Sequence, residues 1–346
     1  MGKVDFRHNN LDWLRLIFAI QVMISHSFSH IETSYTLARI FAIIGHFPGV
    51  PAFFFVSGFL IYAAYDRNQN LANYAKNRFL RLFPGLFAVT IGGLVLVNWA
   101  HYGDPTVGFD PLGQIIWFVS QITIGQAYNP GQFRDVGVGV INGVLWTITA
   151  EIIFYIAVPV IVFLERSIKH LVPALLIVSF MIYVFGEQLF SMIVVRDRTV
   201  YEFLALTPIV WGWMFLFGTL AFKYLHFFER YLDKFYLFII PLTLMIVLDL
   251  DGSVMLASSS NRLGLFYFIT LAALILYIAF QTKYIRLDAD FSYGIYIWHM
   301  VVINFLLVSG MQSVVLASVL TIGISIGSWY TIERPFLRLK SNSIRR

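Results

Sequence analysis

The sequence predicts an all-α polytopic integral membrane protein with about ten transmembrane helices and both termini in the cytoplasm. Three observations predict it. Of the 346 residues, 59% are hydrophobic and 12% charged, with a mean hydropathy of +0.76, whereas soluble domains carry a charged fraction of about a quarter. Apolar runs of about 20 residues, the length a helix needs to cross a bilayer, recur along the whole chain. The basic residues gather in alternate connecting segments, as the positive-inside rule requires.

The runs place spans near 13–31, 48–65, 82–99, 143–164, 171–190, 206–222, 235–250, 262–280, 291–309 and 314–331. The first run, Trp13 to Ser29, follows Lys3 and Arg7 and has no small-residue cleavage motif behind it, so it reads as a retained signal anchor. The apolar stretch 112–125 is short, and counting it as a span would invert every later loop; it reads as interfacial or re-entrant. With the N-terminus inside, eighteen of the 24 Lys and Arg residues fall in cytoplasmic segments. Outside are Arg39, Arg134, Arg196, Arg198 and Arg262, and Arg15 sits at the inner edge of the first span. The net charge of +5 thus reflects topology and anionic lipid and not nucleic acid. No repeat, low-complexity tract or appended soluble domain is visible, so residues 1–346 read as one membrane-embedded domain. The outer segment 100–142 is rich in Gly, Asn, Asp and Gln, and loops that long are usually functional. There is no cysteine, which excludes disulfides, thiolate metal ligands and an acyl-cysteine intermediate.

Ionisable side chains within spans carry the functional signal, because an arginine at the bilayer centre costs about 2.5 kcal/mol or more. Arg15 and His26 form an R-x10-H pattern in the first span. Eleven positions at 100° each bring them within about 20° of one face and about 16 Å apart along the axis. The alternative is an arginine that snorkels to lipid phosphates and a histidine that packs between helices. Glu151 stands about two turns inside its span at a depth similar to His26, and a buried carboxylate must be paired, protonated or facing a cavity. A histidine oriented by such a glutamate is a working general base near neutral pH. Arg78 and Arg81 share a helix face after Ser57-Gly58-Phe59-Leu60, and their guanidinium forks suit phosphate on a cytosolic anion. Ordinary positive-inside residues at a helix start would look the same. His299 is a second intramembrane histidine, with Tyr296 and Tyr293 on nearby turns; a hydrogen-bonded packing role is its commoner reading. His26 and His30 have the i, i+4 spacing of a metal pair, but no third ligand at helical spacing joins them, so no metal is expected. Glu333-Arg334-Pro335-Phe336-Leu337 reads as a helix terminus with a structural charge pair.

Taken together, these motifs resemble the membrane acyltransferase-3 family, which modifies bacterial cell-surface carbohydrates. The residues that carry the resemblance are Asn10 to Arg15 with His26, Phe54 to Leu60, Arg78 to Pro84, Leu145-Trp146 with Glu151 and Phe154-Tyr155, Ser292 to His299, and Glu333 to Phe336. They run in family order over about residues 5 to 340. The chain departs from the pattern at Trp13 and Leu16, where small residues are common, and at Glu151-Ile152, where two acidic residues are usual. The resemblance implies a multi-pass protein of the bacterial inner membrane. It implies an acyl group, by default acetyl from acetyl-CoA, drawn from the cytoplasm and passed to a hydroxyl of a carbohydrate or lipid-linked glycan on the outer side. On this reading His26 is the base and Glu151 assists it. Arg15, Arg78, Arg81 and Ser57 face the CoA donor, and Trp146, Tyr155 and His299 contact the acceptor. Direct transfer and an acyl-imidazole intermediate on His26 stay open, as does the oligomeric state. The alternative from another class is a transporter or flippase of a lipid-linked saccharide that uses the same charged groups as a path. No inverted repeat or paired broken helices favour it.

Overall fold

Membrane-length runs that are apolar on every side can satisfy their backbone N–H and C=O groups only within a helix. In a computed structural model that describes residues 8–31, 43–103, 110–123, 128–195, 197–248, 258–259 and 261–340, each of the ten expected segments contains a helix. They are α1 (Leu11–His30), α2 (Gly49–Arg67), α3 (Leu71–Ala100), α6 (Leu145–Leu164), α7 (Leu171–Phe190), α9 (Pro208–Lys223), α11 (Tyr236–Val247), α12 (Leu265–Gln281), α13 (Ser292–Val308) and α14 (Val314–Ser328). Between them lie the shorter α4 (Pro111–Thr123), α5 (Gly131–Arg134), α8 (Val200–Ala205) and α10 (Leu225–Leu232), with α15 (Arg334–Leu337) at the end. Two short antiparallel ribbons, Val194–Val195 with Arg198–Thr199 and Ser258–Ser259 with Arg262–Leu263, are the strands among the described residues. Lys3, Arg7, Arg39, Arg196, Arg345 and Arg346, which enter the charge asymmetry, lie outside the described residues.

Among the described residues six helical stretches are long and apolar enough to cross a membrane: Ile43–Arg67, Leu71–Ala100, Leu145–Leu164, Leu171–Phe190, Val200–Lys223 and Val314–Leu337. Tyr236–Val247, Leu265–Gln281 and Ser292–Val308 are apolar but shorter. The chain is therefore a multi-pass membrane protein. At 13 residues, α4 is about 20 Å long and falls short of the ~30 Å hydrocarbon core.

Two differences from the sequence expectation bear on its candidate residues. Helix α3 begins at Leu71, eleven residues before the expected span, so Arg78 and Arg81 stand two to three turns inside it and not at its start. After α14 the chain continues as a π-helical turn, Trp329–Glu333, into α15. Pro335 cannot donate a backbone hydrogen bond, and the helix resets its register just before it. Glu333 is 3% exposed and accepts a hydrogen bond from Ser328 Oγ at 3.1 Å, while the Arg334 guanidinium lies over the Tyr330 ring at 5.5 Å. The expected charge pair at a helix terminus is thus replaced by a buried carboxylate and an aromatic contact.

The described residues form two compact units. One draws on Met1–Phe18, Ala42–Leu71 and Ile153–Asp288. Its centre is α2 against α9, where two glycines let backbones meet: a Cβ on Gly58 would stand 1.8 Å from Phe215 O, and one on Gly218 2.0 Å from Phe55 O. Phe154 stacks on Phe215 with centroids 4.0 Å apart. Ser179 of α7 donates to Ile209 O and accepts from Trp213 N, at 2.6 and 2.8 Å. Asn10, at the start of α1, receives Ile285 N at 2.9 Å and donates to Thr282 Oγ1 at 2.9 Å and Lys283 O at 3.0 Å, so its amide ties α1 to the end of α12. Glu165 joins Tyr62, whose hydroxyl donates at 2.6 Å, to the Lys223 ammonium.

The second unit draws on Ala19–Phe41, Ala72–Ile152 and Ala289–Arg346 and is organised around α13. Arg81 of α3 pairs with Asp290 at 2.5 Å, and Asp290 also accepts from Ser292 N at 3.1 Å, holding the first turn of α13. Tyr293 donates to Leu82 O at 2.7 Å. At the far end Asn304, 0% exposed, acts as a surrogate peptide for the loop before α6. Its Oδ1 accepts Val138 N at 2.8 Å, and its Nδ2 donates to Val140 O, Ile141 O and Met300 O at 3.0 Å each. Gly137 beside it has φ +59°, and a Cβ there would lie 2.0 Å from Asn304 Oδ1. Asn304→Leu strips partners from these buried groups and should cost on the order of 3 kcal/mol. The detergent-solubilised protein should show it as a lowered thermal midpoint, and an unchanged midpoint would mean that the loop is held by other contacts.

Candidate active site

The residues of the R-x10-H pattern both lie on α1. His26 belongs to the second compact unit, and its partner comes from α13: His26 Nδ1 lies 3.0 Å from His299 Nε2, with ring centroids 5.1 Å apart. His299 is 0% exposed, and its Nδ1 lies 3.1 Å from Ile295 O one turn earlier. This chain of contacts assigns the protons of the neutral rings. A carbonyl only accepts, so His299 carries its proton on Nδ1 and its Nε2 is an acceptor. His26 must then donate from Nδ1, which leaves Nε2 of His26 with a lone pair. His26 is half-buried and can offer that nitrogen to a reactant.

The turn of α13 that holds His299 is fastened from the start of α6. Asn142 Nδ2 donates to Ile297 O at 2.8 Å. Thr147 Oγ1 lies 2.8 Å from Val144 O and 2.7 Å from the Tyr296 hydroxyl. Because Val144 O can only accept, the threonine proton goes there and Tyr296 donates to Thr147. Glu151 follows Thr147 by one turn on α6 and is half-buried.

The structure adds to the expectation a partner for His26 that α13 supplies, the His299 ring nitrogen at bonding distance. His299, expected among the acceptor contacts, is fully buried beside His26. Trp146 is half-buried on α6, in the same unit; Tyr155, further along α6, is buried in the first unit.

Of the residues expected on the donor side, Arg15 and Ser57 are half-buried in the first unit, and Arg78 and Arg81 lie in the second. The Arg78 guanidinium sits over the Tyr74 ring at 5.5 Å. Arg81 holds Asp290, which gives it a role at the start of the helix that carries His299. Asn142, Thr147 and Asn304 carry no sequence signal of their own, since their partners lie 155, 149 and up to 166 residues away.

The sequence profile of the acyltransferase-3 family, described as an acyltransferase domain, matches residues 8–333. The chain belongs to the acyltransferase-3 family. Two relatives match it over nearly their whole lengths. "Nodulation protein 10" of Rhizobium leguminosarum bv. viciae is 28% identical over 358 residues, covering 98% of this chain and 95% of the relative. An "O-acetyl transferase" of Shigella phage Sf6 is 26% identical over 345 residues, covering 97% of this chain and 98% of the relative. No solved structure matches the chain. Membership makes the protein an acyltransferase and implies an acyl donor. The site described above therefore lies inside the matched domain.

Proposed function

We propose that this acyltransferase moves an acetyl group from cytoplasmic acetyl-CoA to a hydroxyl of a cell-surface or lipid-linked carbohydrate, working in the bacterial inner membrane with both termini inside. The observation that carries the reading is the His26–His299–Ile295 chain. It gives His26 a fixed tautomer with a lone pair on Nε2, which is what proton removal from a hydroxyl requires. The phage relative, an O-acetyl transferase by name, supports acetyl as the group and oxygen as its destination.

In the direct route the sugar hydroxyl gives its proton to His26 Nε2 as its oxygen attacks the thioester carbonyl. The tetrahedral intermediate then expels the CoA thiolate, and the proton passes from Nε2 to that sulfur. In the two-step route the same nitrogen attacks the thioester first and expels the CoA thiolate; the sugar oxygen then takes the acetyl group from the acyl-imidazole, and the hydroxyl proton passes by way of the freed imidazole to the thiolate. Both routes use one free nitrogen, and it is the one the buried His299 leaves available. Glu151 assists His26 on this reading. Trp146, in the unit that holds His26, remains an acceptor contact of this reading, Arg78 of the same unit receives a CoA phosphate, and Arg81 anchors α13.

The test is release of free CoA from acetyl-CoA by the detergent-purified chain, with and without cell-surface glycan extracted from the expression strain. Release that rises with glycan, together with acetyl label on the glycan, is the expected result. A chain that neither binds nor cleaves acetyl-CoA would overturn the reading in favour of saccharide transport.

A further inference from the structure

His30 stands one turn beyond His26 on α1, so the two rings share a helix face. Their centroids are 6.1 Å apart with the planes at 63°. His30 is exposed while His26 is half-buried, so the pair grades from the open surface toward the buried His299. At that separation one hydroxyl can bridge a nitrogen of each ring through hydrogen bonds of about 2.8 Å. With Nδ1 of His26 given to His299, the nitrogen left for that hydroxyl is Nε2.

We propose that His30 is an acceptor-binding residue that holds the attacking carbohydrate hydroxyl against His26. The hydroxyl donates its proton to His26 Nε2 and accepts from a ring N–H of His30. These two bonds fix the direction of the O–H and of one lone pair, and the second lone pair is left to attack the thioester carbonyl. The proton that leaves the oxygen goes to His26, and His30 keeps its own, so the step balances as in the direct route. An exposed imidazole at the open end of the site suits a hydrated, polyhydroxylated acceptor and not the acyl chain of the donor.

The inference rests on His26 being the base, and the experiment separates the two. His30→Ala and His30→Gln are compared in the full-length purified protein, reading CoA release from acetyl-CoA as extracted cell-surface glycan is titrated. His30→Ala should raise the KM for glycan roughly tenfold, the worth of one hydrogen bond of this kind. The KM for acetyl-CoA should stay at its wild-type value. His30→Gln, which keeps an N–H at similar reach, should recover most of the loss. An unchanged glycan KM in His30→Ala would overturn the proposal, as would equal losses in both variants with a lowered thermal midpoint. If His26→Ala is inactive while His30→Ala keeps the wild-type glycan KM, only the role of His30 fails. If His26→Ala is fully active, the base assignment fails and the role of His30 with it.

Discussion

Replacing His26 by Ala is expected to lower the turnover number by roughly 10²- to 10⁴-fold, the range over which a positioned general base contributes. The loss should fall on kcat, with acetyl-CoA binding and the thermal midpoint close to wild type, because the ring is half-buried and its removal uncovers little core. The more telling variant is His299→Leu. It removes the acceptor 3.0 Å from His26 Nδ1 and leaves the remaining imidazole free to carry its proton on Nε2, the form that cannot act as a base. A comparable loss is therefore expected although His299 is fully buried. His299→Gln keeps an amide oxygen near the lost Nε2 and should recover part of the activity. Steady-state CoA release measured beside calorimetric binding of acetyl-CoA checks both. Wild-type turnover in His299→Leu would mean that the pair is a packing contact and that something else orients the base.

The largest stability effect is expected at Gly58. A methyl group there would lie 1.8 Å from Phe215 O and 2.7 Å from Phe215 C. Both are backbone atoms of a packed helix, which no rotamer change can move aside. The contact is reciprocal, since Gly218 of α9 meets Phe55 O of α2 in the same way at 2.0 Å. Small residues three or four apart commonly let membrane helices approach to this distance, where Cα–H groups meet carbonyls and dispersion is greatest. Gly58→Ala and Gly218→Ala should each cost about 3 kcal/mol or more, the upper range for overpacking. The readout is folded yield and thermal midpoint in detergent. The double variant should lose less than the sum, because separating the two helices once relieves both clashes. A wild-type midpoint for Gly58→Ala would show that α2 and α9 can part without cost. The residue beside Ser57 thus serves packing, although the sequence reading attached that stretch to the donor.

Much of the site was legible as residue types and little of it as pairings. Arg15, His26, Glu151 and His299 stand out in the sequence because ionisable groups in apolar spans are costly, and that cost does not depend on which helix they face. The pairing of His26 with His299 spans 273 positions, and that of Arg81 with Asp290 spans 209; no periodicity reaches that far. A soluble helix would have shown its buried face as an apolar stripe, but these spans are apolar all round, so the pattern does not tell which side meets protein and which meets lipid. Asn142 and Thr147 were missed for a related reason: amide and hydroxyl side chains before a helix usually serve local turns. Here they serve α13.

By itself the sequence determined that the apolar runs are helices, the asymmetry of basic charge and the set of ionisable groups within the apolar runs. Each of these follows from local composition and from the rule that backbone polar groups in lipid must be satisfied within the segment. Only the tertiary structure decided that a second histidine lies at bonding distance from His26, which nitrogen of His26 keeps its lone pair, and that Gly58 and Arg81 hold helices together. Those features depend on which helix faces meet, and when every face is apolar only the packing of the whole chain selects them.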